Sequence, residues 1–319
     1  MRRLLTVIVA LTAALTLAGC ASEASGTAPI TDGRPLHITT TTNFITDTVG
    51  RIGGDRVTVT GLMGPGVDPH LYRASAGDVQ ALRQADIIFY GGLNLEGKMG
   101  DLLAELGHSR TVRAVTDGIP RDQLLHEPTA GTEADPHVWF DVSLWQHASR
   151  TIAETLAAAD PGHAADYQRN LDGYLAELTA LDTETRNRMA AVPAQRRVLV
   201  TSHDAFAYFG RRYDVEVAAI QGISTAAEAT TADIERVAEL ISTRRIPAVF
   251  IETSVPRQTI DALLAATARR GHTAVVGGEL FTDAAGSPGT PEGTYIGMVR
   301  ANVDRIADAL GAPAAAAGG

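Results

Sequence analysis

Three histidines and one aspartate in separate loops could together hold a divalent metal ion. They are His70, His137, His203 and Asp283. The first two stand in identical Asp-Pro-His tripeptides, at residues 68–70 and 135–137. Proline fixes its own φ angle and pushes the preceding residue to an extended shape, so each tripeptide presents its histidine on a stiffened loop. Because a rigid ligand loses less conformational entropy on binding, the repeated tripeptide indicates a metal site.

The type of these ligands favours metal binding over catalysis. Three neutral imidazoles and a carboxylate suit Zn²⁺ at about 2.0 to 2.2 Å, and the same set holds Mn²⁺ if the carboxylate is bidentate. Catalytic zinc usually keeps one open position for water, which four protein ligands do not leave. Affinity should fall as the pH drops through about 6.5, because coordination requires neutral imidazole. Further carboxylates could steady the rings from behind, namely Asp68, Asp135, Asp204 and Glu252.

The elements that must position these residues alternate between strand and helix, which is typical of parallel sheets flanked by helices. Strands are predicted at 36–42, 56–63, 86–90, 111–115, 197–201, 215–220, 248–252 and 273–276. Helices are predicted near 45–52, 75–84, 97–106, 232–244, 257–270 and 292–310. We therefore expect an α/β fold with two lobes, each with a mostly parallel four-stranded sheet flanked by helices.

One long helix is predicted between the two halves, at residues 160–192. Asp160 is a helix N-cap followed by proline at the first helical position, and Pro193 stops the run. An apolar stripe recurs at three- or four-residue spacing, namely Tyr167, Leu171, Tyr174, Leu178 and Leu181. A helix of about 30 residues spans roughly 45 Å and could join two lobes. A coiled-coil partner is the alternative, but the stripe is interrupted.

The predicted organisation is an N-terminal lobe at 36–159, the linking helix, a C-terminal lobe at 193–311 and a disordered tail at 312–319. Open α/β sheets bind ligands at the carboxyl ends of their strands, and His70, His203 and Asp283 each follow a predicted strand. His137 arrives from a longer loop. Since two ligands belong to each lobe, the metal site is expected in the cleft between the lobes.

The first twenty residues predict export from the cytoplasm. Arg2 and Arg3 precede an apolar run at 4–17, which ends in Leu-Ala-Gly-Cys at 17–20 and is too short for a comfortable membrane span. We interpret residues 1–19 as a lipoprotein signal peptide, Cys20 as the lipid attachment site and residues 20–35 as a flexible tether. The alternative is an ordinary signal peptide with an incidental cysteine. The formal net charge of −10 makes nucleic acid a poor partner.

Several sequence blocks carry a resemblance to a known family. They are Gly-Pro-Gly-Val-Asp-Pro-His at 64–70, Asn-Leu-Glu-Gly-Lys at 94–98, Ser-His-Asp-Ala-Phe at 202–206, Gly-Gly-Glu-Leu-Phe-Thr-Asp at 277–283 and Gly-Thr-Tyr at 293–295. Through them the chain resembles the zinc and manganese solute-binding lipoproteins of ABC transporters, over nearly all of its mature length. The resemblance implies two α/β lobes joined by one long helix, and the ligands of that family match the four residues proposed above.

The resemblance also implies a function, which is capture of one Zn²⁺ or Mn²⁺ outside the cytoplasm and its delivery to an ABC permease and ATPase. The protein would be a monomer, anchored to the bacterial cell membrane through Cys20. Zinc-dedicated relatives often carry a His-rich loop between the first two ligands, where residues 123–133 contain His126 alone. Many manganese-dedicated relatives place glutamate at the position of His203. The sequence therefore fits either Zn²⁺ or Mn²⁺ as the bound ion.

Two alternative functions remain at this point. A secreted zinc-dependent hydrolase would need a base such as Glu252, although the sequence has neither a His-Glu-x-x-His motif nor a Gly-x-Ser-x-Gly motif. A surface adhesin could share the scaffold, because fold alone does not determine function. The other histidines are interpreted as surface or hydrogen-bonded core residues, namely His37, His108, His126, His147, His163 and His272.

Overall fold

The first lobe is a parallel sheet flanked by helices, in a computed structural model that describes residues 33–126 and 134–311. Its strands are β1 (Leu36–Thr40), β2 (Val57–Gly61), β3 (Ile87–Tyr90) and β4 (Thr111–Ala114). They are all parallel, in the order β2-β1-β3-β4, as the sequence predicts. The flanking helices are α1 (Asn43–Gly53), α2 (Ala76–Gln84) and α3 (Gly100–Gly107). The predicted signal peptide, Cys20, most of the tether, the tail and residues 127–133 lie outside the described residues.

Two long helices follow, α4 (Val142–Ala159) and α5 (Ala164–Ala190). The predicted stripe of α5 is buried, and a 3₁₀ turn at Pro161–His163 precedes the helix. Its 27 residues span about 40 Å, and it packs against α1 and α4. The helix α4 was not predicted, although Asp141 caps it by accepting the Ser143 N–H at 2.9 Å.

The second lobe has four strands, as predicted, but they form two hydrogen-bonded parallel pairs. The strands are β5 (Val198–Thr201), β6 (Glu216–Ala219), β7 (Ala248–Glu252) and β8 (Val275–Leu280). The helices are α6 (Ala207–Tyr213), α7 (Thr231–Arg244), α8 (Gln258–Arg269) and α9 (Tyr295–Ala309). β5 pairs with β6, β7 pairs with β8, and β5 lies beside β7. Just beyond β5 the backbone N–H groups of Ser202 and His203 donate to the carboxylate of Glu252, the last residue of β7.

The strand β8 is longer than predicted, because a glycine pair that suggests a loop lies within the strand. The register shifts between Val249 and Phe250 on β7, which places Gly277 at a bulge. A Cβ at Gly277 would lie 2.7 Å from Ala309 Cβ, so α9 packs too closely for any side chain at that position. Asp283 consequently lies three residues after the end of its strand, whereas the sequence predicts seven.

A hydrophobic core continues from one lobe into the other beneath the cleft. Trp145 of α4 stacks on Tyr295 of α9 with ring centroids 5.0 Å apart. The Tyr295 hydroxyl donates to the Trp139 carbonyl at 2.7 Å, and the Trp139 indole N–H donates to the Thr282 carbonyl at 3.0 Å. These buried contacts restrict relative movement of the lobes. No helix of the described residues has the length and apolar character needed to cross a membrane.

Candidate metal centre

The four predicted ligand residues come together in the cleft. Their candidate donor atoms all lie within 4.8 Å of one another, and all four residues are buried; they are His70, His137, His203 and Asp283. His70 follows β2 and His137 precedes a 3₁₀ turn, while the other two residues follow β5 and β8. In the described part of the chain this is the one such group of three or more His, Cys, Asp or Glu residues.

Neighbouring donor atoms of the cluster lie at separations that one metal ion could bridge. His70 Nε2 lies 3.3 Å from His137 Nε2. The two oxygens of Asp283 lie 3.5 Å from His137 Nε2 and 3.5 Å from His203 Nε2. A tetrahedron with metal–ligand bonds of about 2.0 to 2.1 Å has edges of about 3.3 to 3.4 Å. These atom pairs therefore have the separation that a single Zn²⁺-sized ion requires.

Asp135 orients the ring of His137. One carboxylate oxygen of Asp135 accepts the backbone N–H of His137 at 2.9 Å and lies 2.8 Å from its Nδ1. A hydrogen on Nδ1 leaves the lone pair of Nε2 free to face the cluster. Pro136 stands between the two residues, and its fixed φ angle restricts the backbone there. The Asp135 carboxylate is thereby kept within reach of both the backbone N–H and the ring of His137.

Glu252, the last residue of β7, orients the ring of His203, which follows β5. Its Oε2 bonds the Nδ1 atom of His203, and its Oε1 accepts the backbone N–H groups of Ser202 and His203 at 2.6 and 2.9 Å. Both side chains are fully buried. Glu252 therefore orients the ring and its backbone together.

Ser254 is a site residue that the sequence reasoning missed. Its hydroxyl donates to Asp283 Oδ2 at 2.8 Å and lies 2.7 Å from the Thr282 hydroxyl. In contrast, Asp283 Oδ1 and His203 Nε2 are buried with no hydrogen-bond partner among the described residues. Buried polar atoms are normally satisfied, so these two atoms have the character of donors to an ion.

The carboxylates around the cluster set its protonation. Burial would lower the pKa of His137, but Asp135 and Asp283 outweigh it and raise that pKa to about 9. For His203, Glu252 and Asp283 likewise outweigh burial and raise the pKa well above 6.5. Burial lowers the pKa of His70 to about 3. Because a coordinating ring must be neutral, a divalent ion would compete with protons at the rings whose pKa is raised.

The two remaining flanking residues, Asp68 and Asp204, take part in backbone hydrogen bonds. Asp68 accepts the backbone N–H of His70 at 2.8 Å, so it positions the loop instead of the imidazole. The backbone N–H of Asp204 donates to the Gly222 carbonyl at 3.3 Å. Two histidines outside the cluster bond other groups, since His163 bonds Asp160 and His272 bonds a backbone carbonyl.

Replacing Asp135 by asparagine tests the role of its carboxylate. At a pH where the His137 ring is neutral in both proteins, Asp135→Asn should weaken metal affinity about 10- to 100-fold, because the ring loses a charge-assisted hydrogen bond that fixes its tautomer. Fluorescence titration of Trp139, whose ring centroid lies 5.1 Å from that of His137, provides the measurement. Asp122→Asn removes an exposed carboxylate of the same lobe and serves as the control. Equal affinities of both variants would contradict an orienting role.

A two-lobed α/β scaffold with a polar site buried between its lobes defines a binding protein of the solute-capturing class. Residues 38–309 match the family described as "ZnuA: Zinc-uptake complex component A periplasmic". The chain belongs to this family.

Named relatives agree with this assignment. The "Zinc-binding protein TroA" of Treponema pallidum is 48% identical over 279 residues, covering 88% of this chain and 90% of the relative. The solved structure of the same periplasmic protein superposes with a TM-score of 0.85 and 47% identity, covering 86% of this chain and 99% of that chain. The "Manganese-binding lipoprotein MntA" of Bacillus subtilis is 42% identical over 298 residues, covering 93% of this chain and 96% of the relative.

A further relative carries the transport system in its name. The "Manganese ABC transporter substrate-binding lipoprotein PsaA" of Streptococcus pneumoniae is 31% identical over 316 residues, covering 97% of this chain and 99% of the relative. The predicted membership in the zinc and manganese solute-binding group is thereby confirmed, as is the α/β fold.

Proposed function

We propose that this protein captures one Zn²⁺ or Mn²⁺ ion outside the cytoplasm and delivers it to an ABC permease and its ATPase. The observation that carries the proposal is the convergence of four buried donors, contributed by both lobes, within 4.8 Å of one another. The ligands would be His70, His137, His203 and Asp283. The names of the relatives, which include zinc-binding, manganese-binding and ABC transporter proteins, support the same function.

The ligand set supports transport of the ion and not hydrolysis by it. Glu252, the base that a hydrolase would need, lies behind His203 and is engaged by that ring and by two backbone N–H groups. A carboxylate in this position cannot accept a proton from water on the open side of an ion. We therefore propose a binding protein without enzymatic activity.

Zinc and manganese both fit the donors. Three imidazoles and the usual order of affinities favour Zn²⁺ in solution, whereas the metal carried in a cell depends on availability. Two relatives are named lipoproteins, which supports a lipid anchor at Cys20 as part of the proposal. We further propose that the protein acts as a monomer on the outer face of the bacterial cell membrane.

Native mass spectrometry of the protein purified from its own host tests the proposal. We expect one divalent ion per chain, which acidification releases because the imidazoles then take up protons. In cells, deletion of the gene should impair growth when zinc or manganese is scarce. A chain that binds no divalent ion at micromolar concentration, by mass spectrometry and by calorimetry, would contradict the proposal.

A further inference from the structure

A cavity of about 330 Å³ opens beside the metal centre, between the lobes. Among its lining residues are Asp68 and Leu71 of the first lobe, and Gln221, Thr225, Glu228 and Ser254 of the second. Two of these residues hydrogen-bond members of the four-residue cluster. Asp68 accepts the His70 backbone N–H, and the Ser254 hydroxyl donates to Asp283. The cavity therefore leads from the surface to the immediate surroundings of the cluster.

Accessibility of the cluster points in the same direction. His70 is 5% exposed, whereas His137 and His203 are 0% exposed. Its neighbour Leu71 lines the cavity and is 48% exposed, a large value for an apolar side chain beside a buried site. Among the four cluster residues His70 has the largest exposed fraction, and its neighbours Asp68 and Leu71 line this cavity.

A second cavity of about 450 Å³ at the cleft is a weaker candidate for access. Its lining includes Thr253 and Phe281, and the backbone N–H groups of these residues donate to Leu280 and Asn302. These bonds belong to the packing of strands and of α9. A path on that side would require movement of the core elements of the second lobe.

The first cavity is crossed by a hydrogen bond between the lobes. The Thr225 hydroxyl donates to Asp68 Oδ2 at 2.6 Å, while Oδ1 of the same carboxylate accepts the His70 backbone N–H at 2.8 Å. A single carboxylate thus connects the loop of a ligand residue to the loop between β6 and α7. Release of Thr225 would free both loops on the accessible side of the cluster.

The loop that carries Thr225, residues 220–230, is suited to movement. It contains neither helix nor strand. Hydrogen bonds within it include Gln221 Nε2 to the Ala227 carbonyl at 3.2 Å and the Ala226 N–H to the Ser224 hydroxyl at 3.2 Å. The base of the loop is fixed by the Gln221 N–H, which donates to the Ser202 carbonyl at 2.8 Å, and by the Gly222 carbonyl, which accepts the Asp204 N–H at 3.3 Å. Movement that opens the bond to Asp68 is therefore confined to residues 223–229.

We propose that the hydrogen bond between Asp68 and Thr225 is a latch on the route through this cavity, and that it sets the rate at which the ion leaves. This inference rests on the proposed metal-binding function. The hydroxyl of Thr225 touches no ligand side chain. It holds the loop 220–230 over the accessible edge of His70, and the ion departs after the bond opens.

Zinc release from the full mature chain tests the latch. Wild type, Thr225→Val, Thr225→Ser and Ser224→Ala are loaded with one equivalent of Zn²⁺, and a colorimetric zinc chelator in excess traps the released ion in a stopped-flow instrument. Thr225→Val should release zinc about tenfold faster, the effect of losing a hydrogen bond to a carboxylate. Thr225→Ser keeps the hydroxyl and should release zinc at the wild-type rate. Ser224→Ala is the matched control, since that hydroxyl bonds within its own loop.

The outcomes separate the latch from the function on which it rests. Release from Thr225→Val at the wild-type rate would overturn the latch, and so would equal acceleration in Ser224→Ala or in Thr225→Ser. In each of these cases native mass spectrometry would still find one zinc ion per chain. Absence of zinc from the wild-type protein would instead contradict the proposed function.

Discussion

His203→Ala should lower the affinity for Zn²⁺ by more than about a hundredfold. Loss of a group behind a ligand already costs about 10- to 100-fold, and here the ligand atom itself disappears. The remaining donors would be His70, His137 and Asp283, which leave a position for water. Calorimetric titration, or competition against a chelator of known affinity, measures the change.

The same substitution should also lower the free energy of unfolding, by about 1 to 3 kcal/mol, because Glu252 loses its partner in a fully buried position. It keeps two backbone donors, so the variant is expected to fold. Adding Glu252→Gln should recover stability without recovering affinity. His163→Ala, which removes a partly exposed ring bonded to Asp160, is the control and should bind zinc normally. Unchanged zinc affinity in His203→Ala would contradict its role as a ligand.

The positions of the four candidate ligands were predictable because their signals are local. Asp-Pro-His has a defined backbone shape, and a residue after a strand of a parallel sheet falls at the carboxyl edge. Asp135 was predictable for the same reason, since only one residue separates it from His137. The structure places these side chains together, while their role as ligands remains a proposal.

Residues whose hydrogen-bond partners are distant in the sequence are harder to predict from the sequence. Ser254 lies 29 residues from the carboxylate that it contacts, and Thr225 lies 157 residues from Asp68. A serine or threonine in a loop has many ordinary functions, so its partner is known only once the lobes are packed. The sequence offers Glu252 as a carboxylate that could steady a ring, but its bonds to His203 depend on how β5 and β7 lie side by side.

The misplaced elements have physical causes as well. Gly277 and Gly278 suggest a loop, yet close packing of α9 requires a glycine inside β8. For α4 the signals were present, with Asp141 as cap and an apolar pattern that includes Leu144, Ala148 and Ile152. The pairing of β5 with β6 and of β7 with β8 depends on side-chain contacts between strands, which periodicity does not report.

The apparent affinity for Zn²⁺ should rise by about tenfold per pH unit between pH 6.5 and 9 for each proton that binding displaces. An imidazolium cannot coordinate a metal. Because Asp135 and Asp283 outweigh burial and raise the pKa of His137 to about 9, this ring holds a proton in the metal-free protein at neutral pH. The sequence alone placed the loss of affinity near the ordinary histidine pKa of about 6.5. The neighbouring carboxylates move it to higher pH.

Proton counting distinguishes one displaced proton from two. The pKa of His203 is also raised, by Glu252 and Asp283, which would increase the slope toward two protons, whereas the pKa of His70, about 3, adds none in this range. Calorimetry in two buffers with different ionisation enthalpies gives the number released at pH 7.5. Asp135→Asn should shift the rise in zinc affinity to lower pH, since the raised pKa of His137 depends on that carboxylate. An affinity that is constant from pH 7 to 8.5, with no protons released, would show that both rings are already neutral in the metal-free protein.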